Sequence, residues 1–348
     1  MAKVCVKCRV MHLTSRKLAD LDHEYEGFQR WMILGEDTDI LSQHKRAKGY
    51  NYKLDQIKYK EYPLIIPKKQ IRYRRNANKL AQDWVKISVR KRKGIGIWLP
   101  LRPHKKLPSF DYNCDSLLIK NRKGYYELRL IFDVPVALKQ PKEVIAIDFG
   151  ERNIATVLSS ASDRMFLGRE IRGLRAHYSE LRRKLGRKKL LKKIRSIGNK
   201  ERRIISGMLH QIANTIIRLA EQRNAIIVMG NLRRFKRQWS KKLNRMLSSM
   251  PFYKLKSMIE YKADQRGIQH FEVSEYRSSI TCHHCGHVDR KSRASQGLFR
   301  CTECGLECNA DLNACHNHLK KADEQDLSSR AMAYALEPAS GHAEQAST

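Results

Sequence analysis

The sequence predicts an α/β domain with an inserted zinc ribbon, preceded by a basic N-terminal region that mixes strands with a helix. Three observations carry this expectation. Within "NAIIVMGNL" (224–232), the apolar run from Ile226 to Met229 reads as a short strand buried on both faces, ended by Gly230-Asn231. "CHHC" and "CTEC" set Cys282, Cys285, Cys301 and Cys304 in two Cys-x2-Cys pairs with fifteen residues between them, the spacing of a ribbon. Between the strand-like stretches lies a very basic helical one, "LRRKLGRKKLLKKIRSIGNKERR" (181–203).

The 348 residues suffice for two or three domains and a sizeable core. Lysine and arginine number 70 against 35 acids, a formal net charge of +35. So large an excess is the electrostatic footprint of a protein that binds a polyanion; a generic basic protein, such as a ribosomal one, is the bland alternative. No run of 18 apolar residues and no signal-peptide core point to a membrane or to export. The expected setting is the cytoplasm. Of nine cysteines, six lie between 282 and 315, which suggests metal ligation under reducing conditions rather than disulfides.

In chain order, "TSRKLADLDHEYEGFQRWM" (14–32) places Leu18, Leu21, Tyr25, Phe28 and Met32 on one helical face, with Thr14 or Ser15 as cap. "GIGIWLPL" and "DSLLIKNRKGYYELRLIFDVPV" read as strands, the second folded at an Asn-Arg-Lys-Gly turn. "LKQPKE" (138–143) is the expected domain boundary, and "VIAIDFGERNIATVL" (144–158) reads as strand, tight turn, strand. After the basic helix, "GMLHQIANTIIRLAEQRN" (207–224) is amphipathic. "PFYKLKSMIEYKADQRG" is a helix between Pro251 and Gly267, "HFEVSEY" a short strand, and 322–348 a disordered tail.

Four thiolates at ~2.3 Å would close a tetrahedral, structural zinc site with no open position. His283, His284 or Cys308 could replace one of them, and Cys5 with Cys8 is a lone Cys-x2-Cys with no second pair. Asp148 ends an apolar strand before Phe149-Gly150, and Asp311 stands in "NADLNACHNHL", where a helix begins. Alone, each reads as an ordinary turn or cap aspartate.

Their order says more. Ile147-Asp148-Phe149-Gly150 with Asn153, the strand 225–232, "YRSSITCHHCG" (276–286) and Asn309-Ala310-Asp311-Leu312-Asn313-Ala314 resemble the TnpB family of transposon-encoded RNA-guided nucleases. These are relatives of the type V CRISPR effectors and have a RuvC-type (RNase H-like) nuclease domain. The resemblance covers about residues 140 to 320 and implies a wedge- and recognition-like region over 1–140, a RuvC-type domain over 141–275 with a basic helical insertion, the ribbon over 276–308, and the last motif and helix over 309–321. It also implies a guide RNA from the protein's own element, a double-stranded DNA target recognised beside a short adjacent motif, and Mg2+ or Mn2+ at the cutting centre. Arg182, Arg183, Lys184, Arg187, Lys188 and Lys189 of the basic helix are the expected backbone contacts.

One departure stands out. Family members commonly end the strand at 225–232 with Glu-Asp-Leu, whereas this chain has Gly230-Asn231-Leu232. RuvC-type chemistry uses two divalent ions ~4 Å apart, which take oxygen ligands from separate strands. In such a sheet the next strand runs parallel at ~4.8 Å. That strand is "HFEVSEY", so Glu275 is the expected replacement and Asp148, Glu275 and Asp311 the expected catalytic set; Glu260 and Glu221 are the alternatives. Two readings follow, an RNA-guided endonuclease with a relocated glutamate or a nuclease-dead, RNA-guided DNA-binding protein, with a plain zinc-ribbon RNA-binding protein behind them.

Overall fold

A computed structural model of the chain describes residues 1–45, 62–75, 80–92, 94–121, 124–231 and 250–336. Arg122 and Lys123 of the expected Asn-Arg-Lys-Gly turn, Leu232 of the strand-end pattern and residues 337–348 of the expected tail lie outside the described residues. The chain divides into two compact units, Met1–Pro135 and Val136–Thr348.

The first unit runs β1 (Ala2–Val10), α1 (Ser15–Leu34), α2 (Ser42–Lys45), β2 (Leu64–Ile66), β3 (Arg72–Arg75), β4 (Asp83–Ile87), β5 (Ile97–Pro103), β6 (Ser116–Lys120) and β7 (Tyr126–Val134). Its strands make one antiparallel sheet in the order β2-β6-β7-β1-β5-β4-β3. Successive side chains of a strand point to opposite faces, so β1 buries Val6, Cys8 and Val10 and exposes Lys3, Cys5, Lys7 and Arg9. Cys5 and Cys8 therefore face opposite ways, as ordinary strand residues. α1 lays Leu21, Tyr25, Phe28, Trp31 and Met32 into the core that this sheet shares. The expected stripe is one turn shorter at its start, since Leu18 is 40 % exposed. Thr14 Oγ1 accepts from Lys17 N and caps the helix, and Gly35 ends it at φ 76°.

The second unit contains β8 (Glu143–Asp148), β9 (Ala155–Ser159), β10 (Arg164–Leu167), α3 (Glu170–Arg187), α4 (Leu191–Arg223), β11 (Ala225–Gly230), α5 (Phe252–Asp264), β12 (His270–Val273), β13 (Leu298–Arg300), β14 (Glu307–Asn309), α6 (Ala310–Glu324) and α7 (Leu327–Leu336). Its main sheet has the order β10-β9-β8-β11-β12. β8, β11 and β12 are parallel; β9 runs against β8, and β10 against β9. The continuous apolar run of β11 follows from its two covered faces. Ile227 and Met229 pack with Leu209, Ile212 and Ile216 of α4 and Leu255 and Ile259 of α5. Ile226 and Val228 pack with Ala322, Leu327 and Ala331 of α6 and α7.

Two expectations need correction. The stretch 181–203 is not one helix: α3 ends at Arg187, Lys189 turns the chain at φ 54°, and α4 then runs unbroken from Leu191 to Arg223. The turn makes a helical hairpin in which Arg175 and Arg182 of α3 reach the buried Glu201 of α4. Within the hairpin the buried acid has arginine partners, without which its burial would be costly. The tail expected from residue 322 is also ordered through Leu336, because Ala322, Leu327 and Ala331 are small or apolar and close the second face of the sheet. A reading by polar composition overlooked that three-residue stripe.

Candidate active site

The carboxyl ends of the parallel strands gather the acids. β8 ends at Asp148, and Phe149, itself buried, anchors the turn that follows. β11 pairs with β8 in the register Met229↔Ile147, so Gly230 is the next step beside Asp148. β12 pairs with β11 through Gly230↔Val273, and Glu275 stands two residues past the strand end. Asp311 comes from the other direction, as the second residue of α6. Asn309 caps that helix, its Oδ1 accepting from Asp311 N at 2.9 Å and from Leu312 N at 3.2 Å. Asn153, buried after the Gly150 turn, donates from Nδ2 to Asp311 Oδ2 at 3.2 Å.

The glutamate lies across the glycine. A Cβ on Gly230 would stand 2.4 Å from Glu275 Oε1, 2.7 Å from its Cγ and 3.0 Å from its Cδ. Any side chain at 230 would have to displace Glu275. At Gly150 a Cβ would press on Asn153 O at 3.0 Å and only touch Asp311, at 3.6 Å from Oδ2.

Electrostatics bind the three acids into one site. Burial pushes the Asp148 carboxyl up to about 8, and the charges of Asp311 and Glu275 push in the same direction, against the pull of Arg293. Burial raises Glu275 to about 7, opposed by Lys256 and Lys321. Burial also raises Asp311, opposed by the Asn153 hydrogen bond and by Arg293 and Arg152. The repulsion is felt most at Asp148, the acid between the other two. Buried carboxyls that are all raised, one of them also by the charges of the other two, are a donor set that a bound cation would stabilise.

Glu260 and Glu221 are engaged elsewhere. Glu260 pairs with Lys256 at 3.7 Å, and that lysine also holds Glu272 at 2.5 Å. Glu221 sits in the last turn of α4, before β11 begins and so at the far end of the strand from Gly230, paired with Arg266 and Lys139. Two cations in this site have no sequence signature. Arg293 lies in the ribbon loop and Lys321 near the end of α6, and nothing in their local spacing marks them.

The four cysteines form a separate site. Their sulfurs all lie within 4.8 Å of one another, and among the described residues they are the group so placed. Cys282 Sγ to Cys304 Sγ is 3.7 Å and Cys285 Sγ to Cys301 Sγ is 3.6 Å. A tetrahedron with ~2.3 Å metal–sulfur bonds has edges of ~3.8 Å, so the thiols fit a metal ion. His283 does not compete: its Nδ1 meets Asn313 Oδ1 at 2.9 Å and its ring stacks on His316. Cys308 stands outside the group on β14.

The six basic residues expected to hold nucleic acid divide. Arg182 is spent on Glu201, while Arg183 and Lys184 pair with Glu180 at 2.9 Å and 3.9 Å. Arg187, Lys188 and Lys189 are exposed at the hairpin turn, followed by exposed Lys192 and Lys193.

Comparison with known proteins places these motifs among relatives. The family model described as Cas12f1-like, TNB domain, matches residues 252–318. A TnpB-like protein of Methanocaldococcus jannaschii, MJ0751, is 26 % identical over 265 residues, covering 71 % of this chain and 93 % of that protein. The CRISPR-associated endodeoxyribonuclease Cas12f1 of Sulfoacidibacillus thermotolerans is 38 % identical over 74 residues, which are 21 % of this chain and 18 % of that protein. The Cas12f1 of Syntrophomonas palmitatica is 31 % identical over 130 residues, 37 % of this chain and 26 % of that one. The aligned part thus spans about a fifth to a quarter of these two relatives. A cryo-EM structure of a CRISPR-Cas12f ternary complex superposes with a TM-score of 0.45 at 18 % identity, over 87 % of this chain and 78 % of that one.

Proposed function

The chain belongs to the TnpB family, and from that premise we propose that it is an RNA-guided DNA endonuclease with one RuvC-type centre formed by Asp148, Glu275 and Asp311. The observation that carries this reading is the side chain of Glu275 lying in the space over Gly230. A carboxylate stands at the tip of β11 although that strand does not supply it. The strand order supports the reading too. Numbered within the unit, it is third, second, first, fourth, fifth with the second strand reversed, the arrangement of an RNase H-like sheet.

Asp148, Glu275 and Asp311 would hold Mg2+ or Mn2+ through their oxygens, a donor type that suits these ions. When bound, such ions supply an activated water and neutralise charge on the oxygen that leaves the phosphodiester. The chain's own groups prepare the rest. Asn153 fixes the direction of Asp311 by its hydrogen bond. Arg293, whose charge reaches both Asp148 and Asp311, would offer a guanidinium to a phosphate bound at the centre, and guanidinium suits phosphate geometry. Cys282, Cys285, Cys301 and Cys304 would hold Zn2+ as a closed structural site, which keeps the ribbon and its Arg293 loop folded. The net charge of +35 matches a guide RNA and a DNA duplex held by shape and backbone, with base pairing reading the sequence.

A second reading, a nuclease-dead RNA-guided DNA-binding protein, rests on the glycine at 230. One experiment decides. RNA that copurifies with the protein is sequenced, and a plasmid matched to it is incubated with the complex in Mg2+. Linear product, lost in Glu275→Gln, supports the endonuclease. Guide-dependent binding with no product from the parent protein supports the binder.

A further inference from the structure

A glutamate on a strand is held by the hydrogen-bond ladder of its sheet. Glu275 has no such support, because β12 ends at Val273 and the last bond of the ladder there is Asn231 N to Val273 O at 2.9 Å. A carboxylate two residues beyond a strand end should wander unless something else holds its backbone.

That hold comes from α6. Asn313, Asn317 and Lys321 are four residues apart and so share one face of the helix. Each reaches the segment between β12 and the first cysteine knuckle. Asn313 Nδ2 donates to Thr281 O, and Asn317 Nδ2 to Ser278 O and Thr281 O, all at 2.8 Å. Lys321 Nζ donates to Ser274 O at 2.7 Å and to Tyr276 O at 3.0 Å. These two carbonyls flank Glu275 on either side. The carbonyl of Glu275 itself accepts from Ser278 N at 3.1 Å and Ser278 Oγ at 3.0 Å. Every backbone oxygen from 274 to 276 is thereby tied.

We propose that Lys321 is the positioning residue for Glu275, its ammonium bridging the carbonyls on both sides and so fixing where the carboxylate crosses Gly230. The inference rests on reading Glu275 as the third acid of the centre. It gives α6 two roles, since its first turn carries Asp311 directly and its last turn sets Glu275 through the backbone. A lysine that merely complements the carbonyl end of its own helix would have no need to bracket one residue of another segment.

The test uses the complex with its copurified RNA and a matched duplex. Lys321→Met keeps the aliphatic length and removes the charge and the donors; Lys321→Arg keeps both. Four quantities are measured: single-turnover cleavage, half-saturation of Mn2+ binding followed by electron paramagnetic resonance, target binding and melting temperature. Loss of a group that orients a metal ligand typically costs about 10–100-fold in metal affinity or activity. Lys321→Met is therefore expected to cleave about 10–100-fold more slowly and to need about tenfold more Mn2+, with target binding and melting close to the parent, and Lys321→Arg to recover most of the rate. Parental cleavage and Mn2+ binding in Lys321→Met overturn the proposal, as does a loss shared equally by target binding and melting. If the Met variant does not fold, Lys321→Gln, which removes the charge and shortens the reach, is judged by the same split. Glu275→Gln is run alongside: if it cuts at the parental rate, the reading of the centre fails and the positioning role with it. If it is inactive while Lys321→Met is parental, only the positioning role fails.

Discussion

Glu275 occupies the place of a side chain that Gly230 does not have: Oε1 of the glutamate lies 2.4 Å from where a Cβ on the glycine would stand. The two residues are therefore mutually exclusive in size, and their substitutions should be coupled. Glu275→Gln keeps the shape and removes the charge. Guided cleavage should fall by at least about 100-fold, since one electrostatic stabiliser is worth about 3 kcal/mol, while target binding holds. Gly230→Glu should restore cutting only where room exists. It is expected to fail beside glutamine at 275, which fills the same space, and to recover part of the rate beside Glu275→Ala. Single-turnover cleavage of a matched duplex by the four proteins checks this; equal rescue in both backgrounds would show that the space is not shared.

Arg293 should matter to cutting and not to recognition. Its charge opposes the raised carboxyls of Asp148 and Asp311. Arg293→Ala should slow cleavage by about 100-fold on the same scale of one charge stabiliser, with Lys as a partial substitute because it lacks the planar fork. Target binding measured by filter retention should be unchanged. A proportional loss of binding would instead make Arg293 a general backbone contact.

The four-thiol site predicts a metal-coupled stability. Cys301→Ser removes one ligand, and metal binding is folding free energy in a ribbon this small. Metal content by mass spectrometry should fall well below one ion per chain and melting should move down. Retention of one zinc with an unchanged melting curve would contradict a four-cysteine site.

The α3–α4 turn predicts the cleanest salt response. Lys188, Lys189, Lys192 and Lys193 are exposed, and none carries an ion pair among the described residues. Replacing these four by glutamine should weaken nucleic-acid binding for all sequences alike. The slope of log affinity against log salt should flatten by up to about 3–4 if each lysine meets a phosphate. Loss for one target sequence alone would argue against a backbone role. Arg182 is unsuitable for this test, because its removal strands the buried Glu201.

In the first unit, the buried Glu24 sets an acid limit on stability. Its carboxylate meets His44 Nδ1 at 2.6 Å and accepts from Leu41 N at 2.8 Å and Arg90 N at 2.6 Å. Burial alone would raise its pKa, but these hydrogen bonds outweigh it and hold the group below the usual 4.5. A depressed carboxyl stabilises the fold at any pH above its unfolded value, and that contribution is lost as pH falls from about 4.5 through the folded value. Glu24→Gln should cost about 1–3 kcal/mol at neutral pH, the penalty for a poorly satisfied buried group. Melting curves of parent and variant should converge as acid carries the pH below about 4.5 and through the depressed folded value; a gap that acid never narrows would rule the ionised form out as the source.

Features that depend on short spacing were legible in the chain alone. Ile226 to Met229 marked a strand covered on both faces, the two Cys-x2-Cys pairs marked a tight thiol cluster, and the stripe through Leu21, Tyr25, Phe28 and Met32 marked a helix on a sheet. Each is set by the period of a local backbone conformation, so a window of a dozen residues holds the information. Which distant groups meet was left to the folded arrangement. The expectation that Glu275 fills the space at Gly230 rests on the parallel sheet the resemblance implies and not on local spacing, and the register Gly230↔Val273, set by the crossover through α5, is what brings the two together. The turn at Lys189 answers to a buried Glu201 and two arginines of another helix, and the order of residues 322–336 to a sheet face they close. Arg293 acts on the acids by its charge from a loop, and Lys321 reaches the backbone on either side of Glu275 from a helix end. Such meetings depend on packing in three dimensions, and a flexible side chain several bonds long leaves no periodic trace in the chain that carries it.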